Sequence, residues 1–66
     1  MKKLKVQSEI YYLAKNGKNS SMKLERVISG SSYTAVLSKY WSIVYEWAQS
    51  QGVIYFQINH LTTSKN

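Results

Sequence analysis

His60 is the only imidazole in the chain, and the only acidic side chains are Glu9, Glu25 and Glu46. General acid–base or triad chemistry needs a base, a partner within hydrogen-bond reach and a third group to orient it. There is no aspartate, and the three glutamates fall on three different predicted elements. His60 sits near a strand end, in step with Ile54, Phe56 and Ile58, so it reads as a rim histidine. Glu9 and Glu25 meet across a predicted hairpin, where Lys5, Lys23 and Arg26 are their natural partners on an exposed surface. The absence of Cys removes disulfides, Cys-bearing zinc sites, iron–sulfur clusters and thiol nucleophiles together. Gly17, Gly30 and Gly52 are isolated, so no phosphate-cradling loop exists. The expectation is a non-enzymatic binding protein with no catalytic residue, cofactor or metal.

Recognition chemistry is better supplied. Nine basic residues face three acidic ones, a formal net charge of +6. The imbalance is uneven: residues 1–26 hold seven cations against two glutamates, a net +5, and residues 27–66 hold two against one. Such a field attracts anionic partners, and it also keeps a small protein soluble. Nine of the 66 residues are aromatic, six of them Tyr, which joins an apolar ring to a polar tip. Tyr on a strand surface stacks splayed bases while nearby Lys neutralises phosphate. The residues expected to contact a partner are Lys5, Tyr11, Lys15, Lys18, Lys23, Arg26, Trp47 and Tyr55.

The elements that must position these residues follow from periodicity. Residues 4–14 alternate, with Leu4, Val6, Ile10, Tyr12 and Ala14 on one face and Ser8 interrupting them. Period two predicts a strand with one side on a core. Asn16-Gly17 then tolerates the positive φ of a tight hairpin, so the chain reverses near 16–19. Residues 21–28 read as the returning strand, with a short helix as the alternative. The adjacent pair Val27-Ile28 breaks the alternation, which a bulge near Glu25-Arg26 would repair.

Ser31 or Ser32 caps a helix running to about Ser50. Tyr33, Val36, Leu37, Tyr40, Trp41, Val44, Trp47 and Ala48 recur at spacings of three and four. Tyr45 and Ile43 fall outside this stripe, toward solvent, where part of the helix is left for another chain. Gly52 closes the helix in a left-handed cap. Val53 to Leu61 is the last strand, with Ile54, Phe56 and Ile58 inward and Tyr55, Gln57 and Asn59 outward.

Neither a hairpin nor this helix buries its own apolar face, so the helix must lie across one side of the sheet. The expected fold is α+β: a single-layer antiparallel sheet in the order β-β-α-β with one long helix on one face. The length suits one domain over 1–66, with 62–66 as a frayed polar tail. No run of 18 apolar residues predicts a membrane span, and no apolar segment follows the basic N-terminus as a secretory signal would require. The expected compartment is the cytoplasm.

In size and element order the chain is similar to some phage anti-CRISPR proteins and some phage inhibitors of host RNA polymerase. The resemblance covers the whole chain and rests on architecture, with no matched residue motif. It implies a non-enzymatic inhibitor that blocks a large nucleic-acid machine, in the host cytoplasm if the chain is phage-encoded. The first expectation is therefore an inhibitor or accessory docking on a nucleoprotein complex or nucleic-acid-processing enzyme, through acidic or phosphate surface. The alternative is direct DNA or RNA binding by a basic, Tyr-bearing sheet face. A third class is a homodimer that completes its own core.

Overall fold

The alternation of residues 2–13 produces a strand, and the computed structural model, which describes residues 2–65, pairs it on both sides. β1 (Lys2–Leu13) lies between β2 (Asn19–Gly30) and β3 (Tyr55–Lys65), antiparallel to each. The helix α1 (Tyr33–Gln51) connects β2 to β3. Residues 21–28 are therefore strand, and β3 takes the place beside β1.

The β1–β2 turn is a three-residue loop, Lys15-Asn16-Gly17. The Ala14 N–H donates to the Lys18 carbonyl at 2.8 Å, and the Gly17 N–H donates to the Ala14 carbonyl at 2.9 Å. Only Gly17 adopts positive φ (84°), which is the turn-plus-glycine-bulge hairpin and not the two-residue Asn-Gly turn. The loop thus starts one residue before the expected reversal.

β1 and β2 keep one register throughout, Lys2 opposite Gly30 to Leu13 opposite Asn19. The bulge expected near Glu25-Arg26 is absent. Val27 takes its regular place on the open face, 47% exposed, because an edge strand tolerates one solvated Val. The irregularity lies in β3 instead, where the register against β1 shifts between Gln7 and Glu9. His60 and Leu61 together oppose Ser8, and His60 has a positive φ of 53°. The bulge exchanges faces: Ile58 pairs with Ile10, but Thr63, not Thr62, pairs with Val6. His60 is thus an exposed bulge residue, out of step with Phe56 and Ile58. Residues 62–65, expected as a frayed tail, are the paired end of β3, with Thr62 opposite Gln7 and Lys65 opposite Leu4. Asn66 lies outside the described residues. Ile54, expected inward, precedes the strand and is 64% exposed.

The helix lies over β1 and β2. Val6 and Ile10 meet Leu24 and Ile28 across the hairpin, and Val36, Tyr40 and Val44 cover them from the helix. Ile43, expected toward solvent, packs partly buried against this core. Ser8, the one buried polar residue among those described, has a purpose: its hydroxyl lies 2.6 Å from that of Tyr40, which itself donates to the Leu24 carbonyl at 3.1 Å. The break in the apolar alternation of β1 is the hydrogen-bond partner of the helix's largest buried side chain.

Ser32 caps the helix by accepting from the Ala35 N–H at 3.2 Å, and Gly52 ends it in the left-handed region. Ser32→Ala leaves that N–H without its acceptor. It should lower stability by about 1 kcal/mol, or roughly 4–8 °C in Tm for a domain of this size. Thermal unfolding followed by circular dichroism measures it.

Candidate functional site

The register puts Lys3, Lys5, Gln7, Glu9 and Tyr11 of β1 on the face away from the helix, with Lys23 and Glu25 of β2 and Tyr55, Gln57 and Asn59 of β3. Four of the expected contact residues, Lys5, Tyr11, Lys23 and Tyr55, therefore share one surface. The surface is not the cationic platform that their types suggested. Lys5 Nζ lies 3.6 Å from a Glu25 oxygen, and Glu9 stands opposite Lys23. An exposed pair adds only ~0–1 kcal/mol to stability, but two carboxylates among three lysines nearly cancel the field a phosphate would meet.

Tyr11 donates its hydroxyl hydrogen to Glu9 at 2.9 Å. That hydrogen bond, and then the carboxylate's negative charge, holds the phenol above its ordinary pKa of 10.0, so it stays protonated and tied to Glu9. Tyr11 and Tyr55 border a shallow depression of about 440 Å³ with Asn19, Ser21 and Gln57. Both rings are accessible there, at 43% and 64% exposure.

The other four expected contact residues are dispersed. Lys15 and Lys18 belong to the hairpin end. The stem of Lys15 lies against Gly52, beside the helix C-terminus, whose carbonyls favour a cation. Arg26 falls on the opposite side of the sheet, opposite Val6, yet stays exposed at the free β2 edge and donates to the Glu25 carbonyl at 2.9 Å. Trp47 packs partly buried against the core, edge-on to Tyr12 with ring centroids 5.0 Å apart. Its indole is occupied within the fold.

Sequence reasoning placed Tyr45 toward solvent but did not foresee the apolar cleft that it walls. Because the helix sits over β1 and β2, its flank toward β3 overhangs a strand it does not fully cover. Trp41 (38% exposed) and Tyr45 (56%) form one wall, Phe56 and Ile58 the floor, and Ile54 the end. Tyr45 meets Phe56 edge-on at 5.5 Å. The cleft measures about 470 Å³. A signal for it exists in the sequence: residues 47–64 contain no Asp, Glu, Lys or Arg. A stretch meant for water in a chain of this charge would carry some.

His60 borders a depression of about 310 Å³ with Gln7, Glu9, Lys23, Glu25 and Thr62. Among the described residues no three of His, Asp and Glu converge as a metal site would require. No described helix is long and apolar enough to cross a membrane. Comparison with known protein families, characterised proteins and solved structures finds no match.

Proposed function

We propose that this is a small basic binding protein that docks on a nucleoprotein complex or nucleic-acid-processing enzyme. It acts as an inhibitor or accessory by occupying a site. The observation that carries the reading is the placement of charge. Among the described residues the only ion pair is Lys5–Glu25. Of the other cations, five stand toward the two ends of a body 41 Å long, Lys15 and Lys18 at the hairpin turn and Lys2, Lys3 and Lys65 at the opposite end, while Lys23 and Arg26 lie along the β2 edge between them. Charges so far apart suit an extended anionic surface and not a single small anion, since each is screened beyond about 10 Å at 0.1 M salt. Phage anti-CRISPR and host-takeover proteins are the kind of inhibitor this describes, and the cytoplasm is where such a partner would be met.

Direct nucleic-acid binding is the second reading, favoured by the accessible Tyr11 and Tyr55 rings around one depression. Salt separates the two, because each neutralised phosphate releases counterions and makes affinity fall steeply. Labelled single- and double-stranded nucleic acid is titrated at two salt concentrations, beside affinity capture from nuclease-treated host lysate. A stoichiometric protein partner retained after nuclease supports the first reading. A low-salt gel shift that Tyr55→Ala weakens, with no protein captured, supports the second. Neither a shift nor a captured partner would overturn both.

A further inference from the structure

We propose that two copies of this chain pair along the free edge of β3, antiparallel and centred on Gln57, to form a six-stranded sheet with both helices on one face. The two edges of the sheet differ in charge. β2 carries Lys23, Glu25 and Arg26, the kind of charged edge that discourages strand addition. β3 carries no charged residue before Lys65. For two molecules of net charge +6, this is the edge at which approach brings no cations together.

The register follows from the ladder. The Ala14-to-Lys18 hydrogen bond sets its phase: even-numbered residues of β1 bond to β2, and odd-numbered ones bond to β3. Tyr55, Gln57 and Asn59, opposite odd residues, thus turn their backbone groups to β1, and Phe56 and Ile58 turn theirs to the free edge. The bulge at His60 ends the regular edge, leaving Tyr55–Asn59 to pair. Centred on Gln57, that segment matches itself. Phe56 exchanges backbone bonds with Ile58 of the second copy, Ile58 does so with Phe56, and the two Gln57 side chains face each other.

The cleft makes the pairing worthwhile. A twofold axis through Gln57 sets the two clefts side by side, floored by Phe56 and Ile58 and walled by Trp41 and Tyr45 of both copies. The exposed parts of Trp41, Tyr45 and Tyr55 offer on the order of 300 Å² per copy. Two copies supply about half the ~1,200 Å² that a specific interface needs, before the strands and Ile54 are counted.

The test uses the whole chain, which has no Cys. Sedimentation of the natural sequence at micromolar concentration should give twice 7.6 kDa. Gln57→Cys should cross-link on oxidation, because opposed residues at this kind of position have Cα atoms about 4.5 Å apart, within disulfide range. Asn59→Cys, which faces Tyr55 of the second copy, should not. Gln57→Lys places like charges in opposition and should raise the dimer Kd at least about tenfold, with circular dichroism unchanged. A monomer at every concentration overturns the proposal. So does a dimer that Gln57→Cys fails to cross-link, or one that Asn59→Cys cross-links equally well.

Discussion

Replacing Tyr40 by alanine is expected to unfold the domain at room temperature. Tyr40 is the largest fully buried side chain, and it closes the core from the helix side. Truncating a large buried aromatic costs about 3–5 kcal/mol, and a chain of this length has only roughly 3–10 kcal/mol in all. Tyr40→Phe separates the hydroxyl from the ring. It strands the Ser8 hydroxyl and removes one of two donors from the Leu24 carbonyl, at about 1–3 kcal/mol. Ser8→Ala should cost less when Phe already stands at position 40 than alone, because one hydrogen bond is then lost only once. Urea unfolding of the two single variants and the double variant measures that coupling. Strict additivity would mean that the Ser8–Tyr40 bond contributes nothing.

Ile10→Ala should lower stability by about 2–5 kcal/mol. Ile10 is fully buried in the central strand, between Met22 of β2 and Ile58 of β3, and neither neighbour can shift without breaking a ladder. Val27→Ala, on the open face of the edge strand, should stay within about 0.5 kcal/mol. The urea midpoints of the two variants, compared at equal m-value, test which face of the sheet is the core. Equal losses would contradict the burial described above.

Each element was legible where its signal is local. Alternation gave β1, the serine and glycine caps bracketed the helix, and the hairpin glycine located the first turn. Local signals failed where a partner decides. Val27-Ile28 resembled a bulge because the sequence does not say that one of the pair stays wet. The real bulge at His60 carries no glycine to announce it. The tail after Leu61 looked frayed because Thr, Thr and Ser are polar, yet β1 has a second edge long enough to pair them.

The candidate site shows the same division. The amino-acid sequence by itself determined the charge excess, the aromatic supply and the absence of convergent acid–base groups, since these depend on residue types alone. Tertiary structure decided which of them meet. Strand pairing set Glu9 and Glu25 among the lysines and balanced the open face. Packing drew Trp47 inward onto Tyr12 and left Trp41 and Tyr45 at the rim. The helix rests on two strands of three, and no periodicity within one segment encodes which neighbour goes uncovered. That offset arises only when separate segments share one core, and it is what leaves the β3 flank apolar and open.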